Sequence, residues 1–125
     1  MFELTIGGDI YSFKFGIGFV RDISKRVLKD VDGTNKKQEL GLQYAVAGLI
    51  DEDPIELVDI LLTANKTENP RITAAKLESY LEDESTDMSA LCKEVLDFFK
   101  RSNATTKMAN SVLKMVAKQT ENQNQ

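Results

Sequence analysis

Residues 40–50 read LGLQYAVAGLI, from Leu40 to Ile50, with Gln43 as the one clearly polar side chain and no charge. The chain around them is 29% charged. Apolar residues do not alternate here but fall on every side of a helical projection, which predicts a buried helix. Eleven residues are about half the length needed to cross a bilayer, so the segment is too short to span one. Fully burying its apolar side chains contributes roughly 10–20 kcal/mol, and ordering the segment costs a similar amount. Gly41 and Gly48 lie seven apart, on one face. Glycines inside a helix cost about 1 kcal/mol each, so their presence predicts close approach by a neighbouring element.

Working outward, the 125-residue chain is long enough to bury roughly two thirds of its unfolded surface without staples. Apolar residues make up 42%, an ordinary globular share. A net charge of −4 and a pI near 4.9 argue against binding nucleic acid through bulk electrostatics. Cys92 is the only cysteine, which rules out an intrachain disulfide and fits a reducing compartment. No basic stretch followed by an apolar core and cleavage site opens the chain, so a cytoplasmic protein is expected.

Near the N-terminus, Phe2, Leu4 and Ile6 alternate with Glu3 and Thr5, and Tyr11, Phe13 and Phe15 alternate with Ser12 and Lys14. This period of two predicts a β-hairpin over 2–15 with one buried face. Its turn falls on Gly7-Gly8 or on Gly8-Asp9, and either placement keeps the apolar residues together. Such a hairpin is marginal alone, so its aromatic face needs a helix or another strand to lie on. Phe19, Val20, Ile23, Val27 and Leu28 then recur at helical spacing, and Asp30 to Asn35 reads as a loop.

Beyond the central segment, Asp53, Pro54 and Glu56 supply an N-cap, a proline at the first helical position and an acid at the third. Ile55, Val58, Leu61 and Leu62 are the expected buried stripe, ended by Asn65 to Pro70. Thr73 is the next cap, with Ile72 and Leu77 placed for a hydrophobic staple. Leu77, Tyr80 and Leu81 give that helix its apolar side, and Ser85 and Thr86 are alternative caps for the one after it. There the apolar face is Leu91, Val95, Phe98 and Phe99 with Met88 and Cys92. A polar break at Ser102 to Thr105 precedes a last helix from Thr106 to Lys118, and Thr120 to Gln125 reads as a frayed tail. The fold class is α+β, mainly α: an N-terminal hairpin followed by five to six helices packed around residues 40–50. Residues 1–101 form the expected globular domain, and 102–125 a C-terminal helix with a flexible polar tail.

The chain has no histidine, which excludes imidazole as base, acid or metal ligand. One cysteine excludes cysteine-rich zinc sites. Gly7-Gly8 and Gly16-x-Gly18 match fragments of phosphate loops, but neither completes a motif that follows a strand and opens a helix. The acidic runs Asp51-Glu52-Asp53 and Glu82-Asp83-Glu84 lack calcium-loop spacing and sit beside helix starts, where carboxylates are favoured anyway. Cys92 falls on the apolar side of its helix and reads as core. The sequence therefore predicts no enzyme, no cofactor and no metal. The basic residues between Arg21 and Lys37 could form a patch, yet no later helix is basic enough for a recognition helix.

Three phrases carry a family resemblance: FELTIGGDIYSFKFGIGFVRDI (2–23), GLQYAVAGLIDEDPIELVDILLTA (41–64) and NPRITAAKLESYLED (69–83). In this order they resemble the tail assembly chaperones of long-tailed phages of Gram-positive bacteria, over Met1 to Lys100 and short of Thr105 to Gln125. The resemblance implies a non-enzymatic role in the host cytoplasm, coating the helical tape measure protein while tail-tube subunits polymerise around it. Such chaperones are absent from the finished virion. Many are made in a shorter form, which this chain resembles, and a longer frameshifted form. The implied partners are the tape measure protein, the longer form, the tail-tube protein and further copies of the chain, with no nucleic acid and no membrane.

An apolar groove on a small helical domain can hold an amphipathic client, and tandem weak contacts gain strength through multivalency. Met108, Val112, Met115 and Val116 share a face of the last helix and are the expected partner-binding residues, unless they close the domain's own core. The hairpin's aromatic face is a second candidate, better explained by core packing. The rival reading is a small phage regulator or antitoxin-like protein that binds DNA or one protein partner.

Overall fold

A computed structural model describes residues 1–123, with side-chain environments through residue 119. Strands β1 (Phe2–Ile6) and β2 (Asp9–Phe13) form the expected hairpin. Phe2 pairs with Phe13 and Ile6 with Asp9, which puts the turn on Gly7-Gly8. Both glycines have positive φ, 59° and 87°, as a two-residue turn that follows strand twist requires. Phe2, Ile6, Tyr11 and Phe13 are buried on one face.

Helix α1 (Ile17–Ser24) is shorter than its apolar spacing suggested. Val27 and Leu28 do not extend it. Leu28–Asp30 is instead a strand, β3, paired antiparallel with β4 (Lys37–Glu39). This second ribbon replaces the expected helix end and loop, and residues 28–39 are all exposed. The reason for the early stop lies in helix α2 (Gly41–Ile50), whose first residue abuts the last carbonyls of α1. A Cβ added at Gly41 would lie 1.7 Å from the Ile23 carbonyl oxygen, and one at Gly48 would lie 2.6 Å from Glu56 Cβ. The expected close approach at both glycines is present.

Three residues join α2 to α3 (Pro54–Asn65), with Glu52 in the left-handed region at φ 58°. Asp53 caps α3 as expected: its Oδ1 accepts from the backbone N–H groups of Ile55 at 2.9 Å and Glu56 at 3.3 Å. The buried stripe of α3 is rotated from the expected one. Leu57, Ile60, Leu61 and Ala64 face the core, Val58 and Leu62 are half-buried, and Ile55 is 73% exposed. Apolar residues lie all round this helix, so periodicity does not single out a side, and packing against α2 and β2 does.

Helix α4 (Ala74–Glu82) starts at the expected cap, with Thr73 Oγ1 accepting from Lys76 N–H at 3.2 Å and both staple residues buried. The cap of α5 (Met88–Arg101) is Asp87, whose Oδ1 accepts from Ala90 N–H at 2.9 Å. Ser85 and Thr86 do not serve. The Ser85 N–H and hydroxyl bind Asp83, and the Thr86 hydroxyl donates to the Tyr80 carbonyl. Helix α6 (Thr106–Gln123) continues past Lys118 through part of the expected tail, and residues 124 and 125 lie outside the described residues.

Two sets of contacts lock the hairpin to the helices. All six phenylalanines form one network of ring contacts: Phe2 meets Phe98 at 5.3 Å edge-on, and Phe15 meets both Phe19 and Phe99 at 5.2 Å. The side chain of Asn65, 1% exposed, donates to the Ser12 and Pro70 carbonyls at 2.9 and 3.2 Å and accepts from Ile72 N–H at 2.7 Å. Beside it Lys14 N–H donates to the Ala64 carbonyl at 2.9 Å.

Gly41→Ala should therefore destabilise the fold by at least about 3 kcal/mol, because backbone atoms cannot yield as a side chain does. Gly18→Ala, in open space within α1, should instead raise stability by up to about 1 kcal/mol. Urea unfolding of both variants tests the pair, and an unchanged midpoint for Gly41→Ala would contradict the close packing.

Candidate partner-binding surface

The corner at 102–105 aims α6 across the body. Ser102 Oγ donates to the Phe15 carbonyl at 2.8 Å, and the buried Thr105 hydroxyl donates to the Phe99 carbonyl at 2.7 Å. Both hydroxyls thus satisfy carbonyls that the end of α5 and the link between β2 and α1 leave open. From there α6 packs on α2 and α5 through Ala109 and Val112, which are 0% and 3% exposed.

The four residues expected as a partner face are divided by this packing. Val112 is buried, Met108 and Val116 are half-buried against the core, and Met115 is 47% exposed. Val112, Met115 and Val116 share a groove of about 280 Å³ with Leu40, Tyr44 and Ala47 from the α2 side. Met108 does not line it. Gln43 and Gln119 complete the walls, and among the described residues no charged side chain lines it. The arrangement can hold apolar side chains and offer them amide hydrogen bonds at the edge.

Tyr44, 49% exposed on α2, is the groove residue that sequence reasoning missed. Apolar residues on every side of that segment predicted burial all round. The available signal was Tyr44 itself, the bulkiest side chain there and one with a polar tip. Helix α2 and its cap thus contribute half of the groove. The hairpin's aromatic face is not available in the same way, because Phe2, Phe13 and Phe15 are inside the phenylalanine network.

Outside the groove, hydrogen bonds from Ser85 lower the Asp83 carboxyl, and burial perturbs two further groups. Burial pushes the Cys92 thiol up to about 11, with Glu52 and Asp53 adding to the effect. Burial raises the Glu56 carboxyl, against the pull of Arg26. Among the described residues no three or more histidine, cysteine or acidic side chains gather as a metal site, and no helix is long and apolar enough to cross a membrane.

A family model described as phage tail assembly chaperone protein, TAC, matches residues 3–114. That span runs past Lys100 into α6 and takes in Met108 and Val112. No curated protein and no solved structure matches the chain.

The position of Cys92 sets a measurable outcome. The native thiol, 1% exposed, should resist a thiol-specific reagent at pH 8 and react fully once the chain is unfolded. Its ordinary value is 9.0, so the unfolded chain loses the proton first. This group's contribution to stability is whole below pH 9.0 and shrinks as pH rises toward about 11. Urea midpoints across that window should fall, and should fall less in Cys92→Ala.

Proposed function

This chain belongs to the phage tail assembly chaperone family, and from that membership we propose that it binds and coats the tape measure protein during tail assembly. In this reading it acts in the host cytoplasm without catalysis, as the shorter of two forms, and leaves before the virion is complete. Several copies self-associate along the client, beside the longer form and near the incoming tail-tube protein. Residues 1–101 act as the body and 102–125 as the arm that helps to grip.

The observation that carries the reading is the groove between α2 and α6, lined by no charged side chain among the described residues, with Tyr44 and Met115 half-exposed at its mouth. An amphipathic helix offers apolar side chains at i, i+3 and i+4, and an apolar trough between two helices accepts that pattern. A thioether adapts its shape to successive different side chains, which suits a client whose sequence changes along its length. Met108, Val112, Met115 and Val116 remain the proposed partner face, extended by Tyr44. Contacts this small are weak singly and become strong when repeated along one client.

Co-expression with the tape measure protein tests this directly. The wild-type chain should co-purify with it, and Tyr44→Asp or Met115→Asp should reduce retention at least about tenfold while leaving the fold intact, since both side chains already face solvent. No retention of the wild-type chain, even at low salt, would sink the proposal.

A further inference from the structure

A second groove, of about 300 Å³, lies between α3, α4 and the start of α5. Its floor is apolar: Ile55 and Val58 from α3, Leu81 from α4 and Met88 from α5. Ile55 is the most exposed large apolar side chain of the molecule, at 73%, and Val58 and Met88 are half-buried. Ile55 and Val58 are the α3 residues left toward solvent when its buried stripe settles on Leu57, Ile60 and Leu61.

The rim is acidic. Asp59, Glu78 and Glu82 border the floor. Asp59 is held by Arg26, but among the described residues neither Glu78 nor Glu82 has a basic partner within salt-bridge distance. These two are one turn apart on α4, an i, i+4 like-charge pair that costs the helix a few tenths of a kcal/mol. The wider setting has the same sign. Residues 51–88 carry eleven acidic and three basic side chains, net −8, whereas the rest of the chain carries nine and thirteen, net +4. An apolar floor beside unpaired carboxylates one turn apart complements a helix that places Lys or Arg at the same spacing along an apolar stripe.

We propose that the α3–α4 groove is a second docking surface, separate from the α2–α6 face, whose occupant is a basic amphipathic helix of a partner protein. A second copy of this chain fits less well. Its exposed ribbon carries Lys29, Lys36 and Lys37, but on a pair of strands and their connection, not on a helix with an apolar stripe, and Lys37 already pairs with Asp30. Its α6 carries Lys107, Lys114 and Lys118, but with Ala109 and Val112 buried against α2 and α5, Met115 is the one largely exposed big apolar side chain of that helix among the described residues, which makes no continuous stripe. The proposal does not depend on the tape measure reading, because the two surfaces share no residue.

The test uses the full chain and fluorescently labelled synthetic peptides of about eighteen residues, roughly five helical turns. One peptide has leucines at helical spacing flanked by lysines, a second is its scramble, and a third has glutamates for the lysines. By anisotropy at about 0.15 M salt, the first should bind at least about tenfold more tightly than either control. Ile55→Asn and the double variant Glu78→Lys/Glu82→Lys should each weaken it at least about tenfold. Ile17→Asn, at an isoleucine of α1 that is 72% exposed, should leave it unchanged. Circular dichroism confirms that the variants fold. Equal binding of the scrambled peptide, or equal affinity of the groove variants and wild type, would overturn the proposal. So would self-association of the chain alone that the double variant abolishes, since the occupant would then be a second copy.

Discussion

The carboxamide of Asn65 ties together three parts of the chain that are distant in sequence or conformation. Its amide donates to Ser12 in β2 and to Pro70 in the loop, and its oxygen accepts from Ile72 just ahead of α4. Leucine would fill the space but leave the buried Ile72 N–H without a partner, at a cost of about 1–3 kcal/mol, and would free the part-buried Ser12 and Pro70 carbonyls. Aspartate could accept from Ile72 but could not donate to either carbonyl. Only a neutral amide serves both directions at once. With β2 fixed to the end of α3, the hairpin's apolar face is turned onto α5, and the six phenylalanines fall within reach of one another.

A second constraint acts at α2. Glycine at 41 and 48 lets α2 approach the end of α1 and the start of α3 more closely than any side chain would allow. That closeness ends α1 at Ser24 and pushes the following residues out as the β3–β4 ribbon. It also leaves the opposite side of α2, with Tyr44, to be covered by α6 or by a partner. The groove at Met115 is thus a consequence of how tightly the other side is packed.

How much of this was legible in the sequence differs element by element. The first hairpin was, because strict alternation and a Gly-Gly turn leave few other conformations. So were α2 with its close-packed glycines, and the caps at Asp53 and Thr73, where side chain and backbone interact locally. What was not legible is what tertiary packing decides. The buried side of α3 is set by its neighbours, since Ile55 and Leu57 are equally apolar. The second ribbon depends on α1 stopping early, which depends on Gly41. Among Ser85, Thr86 and Asp87 the cap is chosen by which hydroxyls Asp83 and Tyr80 already engage. Asn65 looked like the polar end of a helix, and nothing local marks it as the buried hub. The apolar stripe of α6 was legible, but its division between core and groove was not.

The two grooves differ in what would hold a client. At the α2–α6 groove no charge among the described residues lines the wall, so adhesion there comes from apolar area removed from water and changes little with ionic strength. At the α3–α4 groove the carboxylates act over about 8 Å at physiological salt, so attraction there begins before contact and weakens as salt rises. A groove of about 280 Å³ accommodates only a few side chains. Burying them contributes a few kcal/mol, which the loss of translational and rotational freedom largely cancels for one copy. In the proposed role, firm retention of a client therefore requires many copies acting together. The same weakness would let copies leave one at a time from an end, as an arriving subunit displaces each in turn.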